Sequence, residues 1–322
     1  MKNNKINSLF KNIEIKRNLF LFWIFAYCFT LFFSIFSITL DIVYIIIPNF
    51  YNIISIYKVQ IVLMIISMII TIKAIYNGQK VPKIKELKIT TDKKVENFKI
   101  IQLTDLHIGK ISNTKWLKKV INKVNKENAD VVLITGDFAD GKSKNYIETI
   151  NLLSTIKSKN GVYAITGNHE YYSDYHGWMK LYEKQNIKFL FNEKISIGNF
   201  EIFGVPDIAA ARFNEIEPDL KNTLKNQSPD KFRILLDHRP ASFKENSELD
   251  LIDLQLSGHT HGGMVPGLKN LVAKMNNGYV GGVYKNKKAI LNLSNGTGIW
   301  AGFPLRLNDD AEINVIYIEK KK

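Results

Sequence analysis

The sequence predicts an α/β fold with a mixed sheet or two packed sheets, preceded by a pair of apolar helices. Three observations carry that expectation. Two long apolar runs lie between Leu19 and Tyr76. From about residue 98, short apolar runs alternate with helix-like segments in the order β-α-β-α-β, which implies parallel pairing. The second half is richer in strands and turns, which adds a mixed sheet or a second one.

The first 17 residues are polar and basic, with Lys2, Lys5, Lys11, Lys16 and Arg17 against Glu14. Leu19 to Leu40 then carries no charge. That is long enough to cross a bilayer, which takes about 20 apolar residues. Asp41 and Pro48-Asn49 interrupt the run, and a second stretch from Ile53 to Tyr76 holds only Lys58 and Lys73. The expected element is a two-helix transmembrane hairpin over residues 18–77 with a loop around 42–52. A secretory signal is the competing assignment, but its apolar core is about 7–15 residues long and ends at a small-residue cleavage site. Lysines flank both outer ends of the hairpin, including Lys80, Lys83, Lys85 and Lys88, whereas the connecting loop has almost none. The positive-inside rule then places both termini, and the large C-terminal part, on the cytoplasmic side of the inner membrane. Residues 78–97 read as a basic juxtamembrane linker and first strand, whose lysines would attract anionic headgroups. The lipid bilayer is therefore an expected partner.

Residues 98–322 are expected to form one large domain. Strands are expected at 98–103, 130–135, 162–165, 187–191, 194–198, 200–204, 232–236, 251–256, 288–293 and 312–318, and helices at 113–127, 146–157 and 178–184. Residues 205–230 read as a polar insertion and 264–287 as a long glycine-rich loop.

The formal charge of +14 comes mostly from lysine. Without an Arg-rich run, a zinc finger or an RNA-binding aromatic signature, nucleic acid is not an expected partner. The one cysteine, Cys28, lies in an apolar run, which excludes a disulfide framework and a Cys-based zinc site.

Chemically distinctive residues fall at the ends of successive strands: Asp105-x-His107, Gly136-Asp137, Asn168-His169-Glu170, Asp237-His238 and His259-x-His261. In a strand, residues i and i+2 face the same way, so His259 and His261 make half a metal site. Strand carboxyl ends are where open α/β sheets bind ligands. Imidazole, carboxylate and amide without thiolate suit borderline or hard divalent ions, and a close pair of them clamps a phosphoryl displacement. Five of the six histidines lie in these motifs; His176 is the exception and reads as a surface or supporting residue. Arg239 and Arg306 are candidates to grip a phosphate, and Tyr171 and Tyr172 to line the groove. Asp237 is a candidate to orient His238, Glu170 to orient the His169 turn, and Trp300 to shape the mouth.

The ordered set Asp105-x-His107, Gly136-Asp137, Gly167-Asn168-His169-Glu170, His238 and Gly258-His259-x-His261 resembles the calcineurin-like metallophosphoesterase signature. Tyr171-Tyr172, Leu235-Leu236-Asp237-His238-Arg239-Pro240, Gly262-Gly263, Asn295-Gly296-Thr297-Gly298-Ile299-Trp300 and Pro304-Leu305-Arg306-Leu307 narrow it to the membrane-associated bacterial YaeI- and YkuE-like branch. Met264 departs from that pattern, where relatives commonly carry Gln. The resemblance implies a four-layer α/β/β/α sandwich of two mixed sheets. It implies one metal on Asp105, His107, Asp137 and His261 and a second on Asp137, Asn168, His238 and His259, with Asp137 bridging. It implies two divalent ions among manganese, iron and zinc, with manganese favoured. A hydroxide bridging them would be the nucleophile, and His169 would serve the leaving oxygen. The expected activity is hydrolysis of a phosphodiester or pyrophosphate bond, in a nucleotide-linked lipid such as UDP-2,3-diacylglucosamine. The alternatives are a generic phosphodiesterase or phosphatase on a phospholipid or cell-envelope phosphodiester, and a non-catalytic metal-binding scaffold.

Overall fold

The alternating segments form two six-stranded sheets in a computed structural model that describes residues 2–47, 56–245 and 249–321. The chain divides into two units, residues 1–78 with 304–306 and residues 79–303 with 307–322.

In the first unit, helix α1 spans Lys2–Ile46 and α2 spans Ile56–Gln79. Within them, Asn18–Ile46 and Ile56–Gln79 are long and apolar enough to cross a membrane. The structure corrects the expected break at Asp41. That side chain points outward, and the helical ladder continues until Ile47 N–H donates to the Val43 carbonyl at 2.9 Å. Residues 48–52 of the expected loop lie outside the described residues. Ser67, Thr71, Ala74 and Gly78 form a buried stripe of small residues along α2. Ser37 on α1 donates to the Gln60 side chain on α2 at 3.1 Å.

In the second unit, β1 (Lys83–Thr91), β2 (Phe98–Leu103), β3 (Val131–Thr135), β4 (Val162–Ile165), β5 (Ile187–Phe189) and β12 (Glu312–Lys320) form one sheet, ordered β1-β12-β2-β3-β4-β5. The other holds β6 (Glu193–Ile197), β7 (Phe200–Gly204), β8 (Phe232–Leu236), β9 (Leu254–Ser257), β10 (Gly282–Asn286) and β11 (Ala289–Leu293), ordered β10-β11-β9-β8-β7-β6. Both sheets are mixed. β2 to β5 run parallel, as do β7, β8, β9 and β11, while β12 against β2, β6 against β7 and β10 against β11 are antiparallel.

The period-two alternation of each strand builds the layers. Ile100, Leu133, Ile202, Ile234, Leu236 and Leu256 face inward to a core between the sheets, where Phe98 and Phe200 stack at 4.1 Å. Ile101 and Leu103 face the other way, onto α3 (Thr114–Lys126). Trp116, Leu117, Val120, Ile121 and Val124 give α3 its buried face, and the Asn113 side chain caps it by accepting from Trp116 N–H. On the far side, Phe203 and Leu235 pack with Leu224, and Phe243 packs with Leu291 and Leu293. This is the four-layer α/β/β/α sandwich expected from the sequence.

Two local expectations are corrected, and a third stretch gains detail. Residues 146–157 are not one helix but a single α-turn, Ile147–Ile150, between 3₁₀ turns. Ser154 and Thr155 hydroxyls donate to the carbonyls of Asn151 and Leu152, which competes with the α ladder. The 264–287 stretch carries a helix, Leu268–Met275, and strand β10. Its Leu268, Leu271, Val272 and Met275 hold helical spacing. The 205–230 stretch contains short helices at Ile208–Phe213 and Leu220–Leu224, capped by the side chains of Asp207 and Asp219.

Candidate metal centre

Because β2, β3 and β4 run parallel in one sheet and β8 and β9 in the other, the loops after their carboxyl ends meet. Main-chain bonds lock them together. His107 N–H donates to the Asp137 carbonyl at 3.1 Å, Gly258 N–H to the His238 carbonyl at 3.0 Å, and Gly298 N–H to the Asp105 carbonyl at 2.9 Å. Gln102 ties the two sheets beneath the site, donating to the Ser257 carbonyl at 3.0 Å and accepting from Asn292 at 2.8 Å. The approach is close enough to require glycine. A Cβ on Gly167 would lie 2.2 Å from the Asp137 carboxylate, and one on Gly258 would lie 2.1 Å from the Thr104 hydroxyl.

Asp105, His107, Asp137, His259 and His261 all have left-handed backbone, with φ between 42° and 74°. Each such non-glycine residue is costly, and their clustering marks a functional site. The loops bring seven candidate ligands together. Asp105, His107 and His261 place ligand atoms within 4.8 Å of one another, as do Asp137, His238 and His259. Asn168 Oδ1 lies 3.2 Å from His238 Nε2, which in turn lies 3.3 Å from Asp137 Oδ2. His107 Nε2 lies 3.1 Å from His261 Nε2 and 3.8 Å from Asp137 Oδ2.

The tautomers suit ligation. His238 Nδ1 sits 2.7 Å from the Thr135 carbonyl and His107 Nδ1 sits 3.1 Å from Asp140. Each Nδ1 therefore carries the hydrogen and each Nε2 lone pair faces the cluster. Buried carboxylates and imidazoles at this density, with Nε2 atoms converging, fit a pair of divalent cations. His169 also lies within ligand distance of His107 and Asp137. Like His107 it is bonded to Asp140 through Nδ1, at 2.7 Å, and its main-chain N–H donates to the Asp137 carboxylate at 2.8 Å.

The charges show how far the site depends on a cation. Burial alone would lower His238 and His107. The charges of Asp137 and Asp140 lift them to about 10 and about 9. Burial and the neighbouring His238 and Arg239 push His259 down to about 3. Burial opposes ionisation of Asp137, yet His238 and His169 hold it well below the usual carboxylate range. Without metal, protons on the imidazoles supply the positive charge that the carboxylates demand.

The supporting residues are placed as follows. Glu170 is fully buried and accepts from the N–H groups of Asp137, Phe138 and Gly167 at 2.7–3.0 Å, so it holds two ligand loops. Burial and the charge of Asp137 raise it to about 7. The structure corrects Asp237: it accepts from Ser242 at 2.5 Å and does not orient His238, whose Nδ1 the Thr135 carbonyl holds. It corrects Tyr171 too, which is 3% exposed with its hydroxyl against Thr166. Tyr172 is the exposed one, its ring 5.3 Å from the His169 ring. The Trp300 ring lies 5.6 Å from the His169 ring. Arg239 is half-buried and held by a two-point ion pair to Asp207. Arg306, expected as a phosphate grip, is 1% exposed; its N–H donates to the Ala74 carbonyl within the helical unit, so it offers no exposed guanidinium. His176 is exposed beside Glu215. Asp140 escaped the sequence reading; its only signal is a second carboxylate three residues after Asp137.

Residues 98–263 match the calcineurin-like phosphoesterase family. An uncharacterized metallophosphoesterase of Helicobacter pylori is 34% identical over 75% of this chain and 65% of its own length. A transmembrane protein with metallophosphoesterase domain from Danio rerio is 27% identical over 82% of this chain and 63% of its own length. The uncharacterized metallophosphoesterase YkuE of Bacillus subtilis is 27% identical over 70% of this chain and 80% of its own. The chain thus spans about two thirds of the Helicobacter relative, 65%.

Proposed function

This chain belongs to the calcineurin-like metallophosphoesterase family, and on that premise we propose that it is a membrane-anchored, two-metal hydrolase of a phosphodiester or pyrophosphate bond. The observation that carries the reading is the convergence of Asp105, His107 and His261 with Asp137, His238 and His259. One ion would be held by Asp105, His107, Asp137 and His261, the other by Asp137, Asn168, His238 and His259. When bound, the ions supply Lewis-acid polarisation of the phosphoryl oxygens and make a water acidic enough to attack near neutral pH.

The chain's own residues do the rest. Asn168 contributes a neutral oxygen, which limits the negative charge facing an anionic ester. His169, its Nδ1–H fixed on Asp140, keeps Nε2 to give a proton to the leaving oxygen as the P–O bond breaks. Water adds to phosphorus as the P–O bond breaks: a phosphodiester gives an alcohol and a phosphate monoester, and a disubstituted pyrophosphate gives two phosphate monoesters. Arg239, aimed by Asp207, retains an Nη1 face to bind a non-bridging phosphate oxygen.

The two apolar helices support a membrane-bound enzyme acting on an amphiphilic ester, with the lysine pattern favouring the cytoplasmic face of the inner membrane. A nucleotide-linked lipid such as UDP-2,3-diacylglucosamine is the substrate to test first. Full-length protein in detergent with manganese should release UMP from it. No release, with an aryl phosphodiester still cleaved, would discard that lipid and keep the reaction class. Failure on both would overturn the reading.

A further inference from the structure

Among the described residues of the second unit, three aromatic side chains are strongly exposed: Tyr172 at 52%, Phe213 at 43% and Trp300 at 40%. They are not scattered. Tyr172 and Trp300 each flank the His169 ring, at 5.3 Å and 5.6 Å, and Phe213 lies 6.3 Å from Tyr172. They come from separate elements: the short helix His169–Tyr172, the 3₁₀ turn Ile208–Phe213 and the loop after β11. Large aromatic rings gain most from burial, so two left in water against one polar residue, with a third beside them, mark a surface that something covers.

From this we propose that Tyr172 and Trp300, extended by Phe213, form a subsite for an aromatic ring carried by the leaving group of the substrate. The inference rests on the two-metal phosphoesterase reading, because that reading puts the leaving oxygen at His169. A group bonded to that oxygen lies beside the rings in contact with His169. Aromatic side chains hold a flat ring by offset or edge contact and are tolerant of its identity, as in single-strand nucleic-acid grooves. Trp300 meets the His169 ring at 72° and is 40% exposed, so part of the indole is accessible to such a ring. A nucleoside or another aryl-bearing alcohol fits; a short alkyl group leaves the rings in water.

The test compares phenylphosphonate with methylphosphonate, which share a metal-binding head and differ in the ring. Calorimetric titration uses the full-length, manganese-loaded protein in detergent, alongside Tyr172→Ala, Trp300→Ala and the rescue variants Tyr172→Phe and Trp300→Phe. The wild type should bind phenylphosphonate about tenfold more tightly, a preference that both alanine variants erode and both phenylalanine variants keep. A wild type without preference, or a preference that survives both alanine substitutions, overturns the subsite. If in that case an aryl phosphodiester is still hydrolysed, the phosphoesterase reading stands alone. If the alanine variants instead lose binding to anionic vesicles and keep the ring preference, the patch is a lipid contact and the subsite is overturned. Absence of both phosphonate binding and hydrolysis removes the reading and the inference together.

Discussion

The Nε2 atoms of His107 and His261 lie 3.1 Å apart, and His107 has its Nδ1 committed to Asp140. Two imidazole nitrogens this close either share a proton or face one cation, and a divalent ion can take both lone pairs. Metal binding should therefore stabilise the fold. Manganese at about a hundred times its dissociation constant contributes about 2.7 kcal/mol. For a domain of this size that corresponds to a Tm rise of roughly 5–10 °C. Thermal unfolding with and without chelator checks it, and His261→Ala should lose a large part of the rise.

Acid should expel the metal. Although burial opposes it, Asp137 and Asp140 lift His238 and His107 to about 10 and about 9 in the metal-free protein. These folded values exceed the ordinary 6.5, so the protonated rings stabilise the metal-free fold below that pH. That contribution is lost as pH rises through 9 to 10. Metal takes the deprotonated rings, so its apparent affinity should climb as pH rises toward these values and level off above them. Titrations at about pH 6 and about pH 8 decide it, and equal affinities would contradict the ligand assignment.

Asp140→Asn should lower turnover about 10- to 100-fold with most of the metal retained, because His107 and His169 both lose a charged acceptor. Steady-state kinetics beside bound-metal analysis reads both. Full activity would show that Asp140 does not position His169.

Gly167→Ala should destabilise the domain by about 1–3 kcal/mol, because the added carbon meets the Asp137 carboxylate at 2.2 Å. Urea unfolding measures that cost, and a neutral substitution would mean that these loops are less tightly joined than described.

Much of this was legible in the sequence because the chemistry sits in short motifs at strand ends. Asp105, Asp137, His238 and the His259–His261 pair stand out without any knowledge of which strands adjoin. What did not show was set by tertiary contact. Asp140 looks like an ordinary loop carboxylate until the fold brings His107 and His169 to one of its oxygens. Tyr171 and Tyr172 are indistinguishable as a dipeptide, yet one hydroxyl turns inward to Thr166 and the other ring stays in water. Arg306 reads as a phosphate grip, yet it is buried and its N–H donates to Ala74 of α2. The Leu268–Met275 helix was hidden by the glycines on either side of it.

The most direct test of the account is His169→Ala beside the wild type, with bound metal and hydrolysis measured on the same preparations. The substrate should be a phosphodiester with an alkyl leaving group, whose oxygen needs a proton most. Two ions per chain in both proteins, and turnover lower in the variant by about 10²- to 10⁴-fold, is the expected result. Equal turnover would contradict the role of His169, and loss of metal from the variant would make it a ligand instead.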